Sequence, residues 1–476
     1  MRTKWARGAG AVCAAALLCC AVQMRAQAPV KYEPALESLD KHPLPKWYAD
    51  AKLGIFIHWG LYSVPGWAPV THPNHDFSSS DYIKYNPYAE WYLNTMRIPG
   101  SPTQDYQRSH YGADFNYYDF SKDFNRETRK WSPDAMAAIF KMAGARYVVL
   151  TTKHHEGFTL WPSTTPNPNP NMKPSELHAE RDIVGELTTA VRKEGMRMGL
   201  YYSGGYDWTF NVGPIETSSD YEAVKPESLA YGRYANAQIH ELITKYKPAV
   251  LWNDIDWPKT GDALGVEADY YNAIPDGVID DRFGIKHSDF TSPEYSKLDK
   301  ISEKKWEECR GLGRSFGYNR AEGEKETIAP ADLIALLVDI VSKNGNLLLD
   351  VGPEADGTIP PIQLERLKEL GAWLKQNGDA IYGTTPWSEA EGKSLEGDDL
   401  RFTRKSSDLY VTVLGTPKGK TLSIAGIAQA SHDAVTELGV DTPLTTDKKG
   451  STLIIHLPAE LKGKYAYSFK LTGYAG

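Results

Sequence analysis

The sequence predicts an α/β chain, a (β/α)8-like barrel followed by a C-terminal all-β sandwich. Three observations carry that prediction. The 476 residues exceed one ordinary domain and fit a large barrel with an appendage. From about residue 46 to 385, short apolar runs alternate with segments of helical apolar spacing, the pattern of parallel β/α units. After about residue 392 the helical spacing stops, and short alternating runs separated by turn residues take over. A doubly wound open sheet is the alternative for the first part, but no Gly-rich phosphate loop follows any of its strands. The domain reading is 1–26 signal peptide, 27–385 barrel and 386–476 sandwich.

The first element is an export signal. Arg2, Lys4 and Arg7 precede an apolar run from Ala9 to Val22, and small residues follow at Ala26 and Ala28. Cleavage after Ala28 would leave Pro29 first, so Ala26 is the expected site. A lipid anchor at Cys19 or Cys20 fits less well, because Leu18 or Cys19 stands where a small residue is needed. The expected location is therefore the periplasm or the medium. Loss of residues 1–26 also removes Cys13, Cys19 and Cys20, which leaves Cys309 alone and allows no intramolecular disulfide.

In the barrel, the strand-like runs are 54–59, 147–154, 196–202, 250–254, 278–282 and 346–351. Helical segments lie between several of them. One opens at Ser132-Pro133-Asp134, and others cover Ile183–Glu194, Ser228–Tyr246 and Asp332–Lys343. A last helix is expected over Pro361–Gln376. The stretch from Pro166 to Asn171 alternates Pro and Asn and must be a loop. In the sandwich, strands are expected at 400–405, 409–414, 421–425, 452–457 and 465–471. No internal repeat and no later apolar stretch of about 20 residues is present. A formal net charge of −8 argues against a nucleic-acid partner. The 28 Tyr and 13 Trp offer flat apolar faces with polar edges, which suit sugar rings.

Chemistry-bearing residues gather at the C-terminal ends of the strand runs, the active face of a β/α barrel. Phe56 and His58 end the first and share one side by the period-2 rule. Lys153, His154, His155 and Glu156 end the second, Tyr201 and Tyr202 the third, and Trp252, Asp254 and Asp256 the fourth. Asp280, Asp281 and Arg282 end the next. A metal site drawing on His58, His154, His155 and Asp254 is one reading, but adjacent histidines on a strand face opposite ways and no HExxH or CxxC spacing exists. Taken singly, each His or Asp fits a structural role. Taken together, they fit paired carboxylates working on a sugar, with histidines and an Arg holding hydroxyls between aromatic walls. Residue types alone select neither the two acids nor the sugar.

Six ordered blocks over more than 300 residues resemble the α-L-fucosidases of glycoside hydrolase family 29. They are WYADAKLGIFIHWG at 47–60, KHHEGF at 153–158, YYSGG at 201–205, LWND at 251–254, SFGYNR at 315–320 and NGNLLL at 344–349. With the export signal, the chain is identified as an exported, bacterial member. The resemblance implies a barrel followed by a sandwich, a retaining mechanism without metal or cofactor, and fucosylated glycans as substrates, while the net charge and the lack of a later apolar span give no nucleic-acid partner and no stable membrane insertion. A non-catalytic glycan-binding protein on the same scaffold is the alternative.

Carried over residue by residue, the resemblance implies that Asp254 is the nucleophile, although the period-2 rule alone would also admit Asp256. The segment Asp289–Tyr295 resembles the one that carries the acid/base, which nominates Glu294 ahead of Glu90, Glu307 and Glu308. It further implies that His58, Glu90, Trp91, His154, His155, Tyr201 and Arg282 bind the sugar, with Phe56, Trp252 and Phe316 as an apolar wall beside the 6-methyl group of fucose. Cys309 reads as a structural thiol. Asp350 stands where the family pattern leads one to expect Asn.

Overall fold

A computed structural model describes residues 31–70, 80–173, 177–210, 213–427, 431 and 434–474 of the chain. The export signal and its cleavage site lie outside these residues. Seven strands form one all-parallel sheet: β1 (Leu53–Ile57), β2 (Tyr147–Lys153), β3 (Arg197–Ser203), β4 (Val250–Asp254), β5 (Val278–Ile279), β6 (Trp306–Gly311) and β7 (Gly345–Val351). Their order is β5-β4-β3-β2-β1-β7-β6. Nearly every residue of these strands is buried, as expected when a parallel sheet is covered on both faces.

The crossover helices lie close to where the apolar spacing puts them: Pro133–Met142, Ile183–Lys193, Leu229–Tyr246, Pro330–Ser342 and Pro361–Asn377. Their starts follow cap chemistry. Ser132, Asp182 and Ser228 each accept a hydrogen bond from a backbone N–H in the first turn. Pro133 and Pro330 occupy first-turn positions that need no donor. Residues 166–169 are irregular and 170–171 form a turn, as Pro requires.

Strand β6 is the parallel strand that the apolar pattern misses. Its sequence, WEECRG, holds two glutamates, yet both are fully buried. Glu307 points into the barrel, where it accepts hydrogen bonds from Tyr48 Oη (2.8 Å), Tyr147 Oη and Trp252 Nε1 (3.2 Å). Burial pushes its pKa up to about 7, against the pull of those donors.

Between β5 and β6 the chain supplies no regular eighth strand. The gap is filled by the irregular segment 289–295. Asp289 N donates to Ile279 O on one side, while Thr291 N donates to Lys305 O and Tyr295 N to Cys309 O on the other. Thr291 and Glu294 bridge Trp306 and Cys309 in parallel register. Tyr295 has φ of +47°, which ends any regular pleat at this point. Seven strands and one irregular segment thus complete the barrel-like ring.

From Thr385 onward the chain is antiparallel. Strands β8 (Thr385–Lys393), β9 (Asp399–Lys405), β10 (Asp408–Leu414), β12 (Ala434–Glu437) and β15 (Ala466–Thr472) form one sheet in the order β12-β15-β10-β9-β8. Strands β11 (Thr421–Ile424), β13 (Thr446–Lys449) and β14 (Thr452–His456) form the other. Leu409, Val411, Val413, Phe469 and Leu471 from the first share a core with Leu422, Ile424, Leu453 and Ile455 from the second. Of these eight, β8, β12 and β13 go unseen in the sequence because they are short, charged or exposed. Residues Tyr32–Gly476 make one compact unit. Among the described residues, no helix is long and apolar enough to cross a membrane.

Candidate active site

All twelve residues singled out as site residues line one cup at the C-terminal ends of the strands: Phe56, His58, Glu90, Trp91, His154, His155, Tyr201, Trp252, Asp254, Arg282, Glu294 and Phe316. Its volume is about 780 Å³ with the open mouth included. Strand β1 delivers Phe56, and His58 just past its end; His154 and His155 follow β2; β3 delivers Tyr201, β4 Trp252 and Asp254, and the irregular segment Glu294.

Asp254 is the last residue of β4 and 8% exposed. Tyr201 Oη donates to its Oδ2 at 2.8 Å, and Arg282 Nη1 donates to its Oδ1 at 3.0 Å. The same Nη1 lies 2.7 Å from Glu294 Oε1. Two contacts through one nitrogen, 3.0 and 2.7 Å, bring those oxygens no further apart than their sum, 5.7 Å. Arg282 is itself fixed: Nε donates to Ser292 Oγ (3.0 Å), Nη2 to Ser292 O (2.7 Å), and the guanidinium lies 4.5 Å from the centre of the Trp252 ring. Burial alone would lower its pKa, but Glu294 and Asp254 outweigh it and hold the group charged.

Asp256 is placed elsewhere. Ile255 and Asp256 have φ of +61° and +66°, so the strand alternation stops at Asp254. The Asp256 carboxylate is half exposed and pairs with Lys225 Nζ at 2.8 Å, outside the cup.

The two histidines after β2 correct the expectation that they face opposite ways. The strand ends at Lys153, so the period of two no longer governs them, and both rings line the cup, stacked at 3.9 Å. His155 Nδ1 lies 2.7 Å from Ser203 Oγ, and its Nε2 lies 3.8 Å from Asp254 Oδ2. His58 follows β1, packs edge-on against Phe56, and sets Nδ1 2.7 Å from Asp350 Oδ1. Burial and the neighbouring His154 drive both His58 and His155 well below the ordinary imidazole pKa, so both are neutral. Among the described residues, no group of three His, Cys, Asp or Glu is arranged to hold a metal ion.

Phe56, Trp252 and Tyr201 form an aromatic floor, with Trp252 and Tyr201 stacked at 5.5 Å. Phe316 closes on His58 at 5.0 Å. Glu90 is buried; Gly317 N (2.8 Å) and Ser315 Oγ (3.2 Å) donate to it, while desolvation pushes its pKa up. Of the other acids considered, Glu307 lies beneath the floor, bound to Trp252, and Glu308 is buried outside the cup with both oxygens unpartnered among the described residues. The Cys309 thiol is buried and raised in pKa by that burial, an inert wall of the cup.

Tyr82, Asn86, Tyr88, Tyr221 and Ile255 also line the cup and were missed in the sequence. The four polar ones come from the long β1–β2 and β3–β4 connections, where no strand end announces a site.

Comparison with known proteins identifies the family. The sequence profile described as "Alpha-L-fucosidase" matches residues 19–379. The chain belongs to the α-L-fucosidase family. The tissue α-L-fucosidase of Bos taurus is 34% identical over 464 residues, which span 94% of this chain and 92% of that protein. An α-L-fucosidase of Dictyostelium discoideum is likewise 34% identical, spanning 93% of this chain and 95% of its own length. Among solved structures, the α-fucosidase of Thermotoga maritima in complex with a mechanism-based inhibitor superposes with a TM-score of 0.85 at 43% identity, covering 93% of this chain and all of the other. These relatives include eukaryotic as well as bacterial proteins.

Proposed function

We propose that the protein is an exported, retaining exo-α-L-fucosidase that removes terminal α-L-fucosyl residues from glycans. Asp254 is the nucleophile and Glu294 the acid/base. The observation that carries this reading is the pair of carboxylates held by one nitrogen of Arg282. Retaining glycosidases place their two carboxyl groups about 5–5.5 Å apart, whereas inverting ones need about 6.5–9.5 Å to admit a water. The limit of 5.7 Å fits the first spacing.

In the first step Asp254 Oδ2 or Oδ1 attacks the anomeric carbon as its bond to the leaving oxygen breaks, and Glu294 gives that oxygen its proton. In the second, Glu294 takes a proton from water, whose oxygen attacks the same carbon and releases Asp254. Tyr201 and Arg282 hold the Asp254 carboxylate while it is free. Histidines 58, 154 and 155, Glu90 and Trp91 meet the hydroxyls, and Phe56, Trp252 and Phe316 face the 6-methyl. In this reading residues 27–385 form the catalytic domain and 386–476 the appended sandwich, and residues 1–26 are removed on export. Purified protein should release 4-nitrophenol from its α-L-fucoside, with the α-anomer as first product by proton NMR. An initial β-anomer would rule out the nucleophile. No release at all would rule out the enzyme.

A further inference from the structure

We propose that Asp350 is a positioning residue that is held as the neutral acid, donates its proton to His58 Nδ1, and thereby makes His58 Nε2–H a hydrogen-bond donor to a sugar hydroxyl. The inference rests on the fucosidase reading for its substrate, but its structural half stands alone. Asp350 is next to the last residue of β7 and 1% exposed. Its Oδ1 lies 2.7 Å from His58 Nδ1, and its Oδ2 has no hydrogen-bond partner among the described residues. An ionised carboxylate buried in this way would leave Oδ2 without a partner, at a cost that the imidazole N–H and the pull of the His58 backbone N–H do not offset. A neutral acid needs to place one proton only, and Nδ1 is the acceptor within reach.

The surroundings agree. Asp350 is faced by His58 after β1, Tyr62, Glu90, Tyr295, Cys309 on β6 and Glu322. Two of these are acids, and no Lys or Arg pairs with Asp350 among the described residues. Burial and then Glu90 push the Asp350 pKa well above the usual carboxylate range, while burial and His154 push His58 well below that of an ordinary imidazole. Both directions leave the pair uncharged.

His155 is set the other way. Ser203 Oγ donates its proton to Tyr206 O (2.8 Å), so it accepts from His155 Nδ1–H, and His155 Nε2 is left as an acceptor. The two histidines therefore present a donor and an acceptor to the same cup, a complement to hydroxyls that do both.

Two measurements test this. In protein labelled with 15N-histidine, His58 is assigned by the signals lost in H58Q. Wild type and D350N should both show the neutral Nε2–H tautomer between about pH 6 and 8. An Nδ1–H tautomer or a charged ring in the wild type overturns the proposal. This readout is independent of turnover, so failure of the fucosidase reading shows up separately, as wild-type protein inactive on the nitrophenyl fucoside. In turnover, D350A should raise KM about tenfold with a smaller change in kcat. D350N, whose amide donates to Nδ1 as the acid does, should bring KM back to within about threefold of wild type. A D350A variant with unchanged KM and only a lower Tm overturns the proposal, as does a D350N variant as impaired as D350A.

Discussion

Arg282 Nη1 reaches Asp254 and Glu294 at once, so the two carboxylates are positioned as a pair rather than separately. Removing either should therefore produce distinct kinetics on a similar fold. Asp254→Ala should lower kcat by roughly three to four orders of magnitude, because no covalent intermediate can form. Azide should restore turnover by attacking from the vacated face. Asp256→Ala, which loses only a pair with Lys225 at the surface, should keep near-normal turnover; the reverse result would place the nucleophile two residues later. Glu294→Ala should slow fucosides with poor leaving groups by roughly 10²–10⁴-fold and nitrophenyl fucosides far less, since a good leaving group needs little protonation. An unaffected Glu294→Ala variant would pass the role to Glu90, the other acid lining the cup.

At the scale of elements, the irregular segment 289–295 determines where Glu294 sits, and its neighbours anchor it. Asp289 Oδ1 lies 2.9 Å from His42 Nδ1, and Tyr271 Oη donates to Asp289 Oδ2 at 2.7 Å. The helix Ala263–Ala273, which carries Tyr271, also buries Glu267 with both oxygens unpartnered among the described residues. Burial, then Asp289 and Asp40, push its pKa up to about 9. The sign follows from linkage. The folded protein keeps this proton where the unfolded chain loses it, so its contribution is complete below about pH 4.5 and declines steadily as pH rises toward 9. Glu267→Gln, which cannot ionise, should raise stability at pH 8 relative to pH 4 by roughly 4–5 kcal/mol, about 1.4 kcal/mol for each pH unit above 4.5. It should change stability little at pH 4. Equal effects at both pH values in thermal melts would show that Glu267 is ionised in the fold.

Across the whole molecule, barrel and sandwich interlock through specific contacts. Trp373 Nε1 on the last barrel helix donates to Ala466 O at 2.8 Å, and Arg401 Nε donates to Asp339 Oδ1 at 2.6 Å. Thr403 Oγ1 donates to Ala380 O, and Ala466 belongs to the barrel core. Unfolding should therefore be a single cooperative transition by calorimetry, not two. A chain that ends at residue 384 should lose that transition, because its last helix would expose apolar surface and leave Trp373 without its acceptor. Two separable transitions would show that the sandwich is a passive appendage.

Apart from Glu90, Trp91, Glu294 and Phe316, which only the family resemblance nominated, the sequence by itself determined the alternation of strands and helices, most crossover helices within a few residues, and eight strand-end side chains that do meet in one cup. These are properties of local pattern: burial on both faces makes strands apolar, caps mark helix starts, and strand ends carry the chemistry. The tertiary structure alone decided the rest. Strand β6 is legible only once Tyr48, Tyr147 and Trp252 are seen to satisfy Glu307, because a buried charge looks like surface until its donors are known. The stacked pair His154 and His155 depends on where β2 stops, and the exclusion of Asp256 depends on two residues with positive φ. Tyr82 and Tyr221 reach the cup from connections whose paths no periodicity encodes. Asp350 carries no signal beyond an unexpected residue type, and its 2.7 Å contact with His58, 292 positions earlier, exists only in the folded ring.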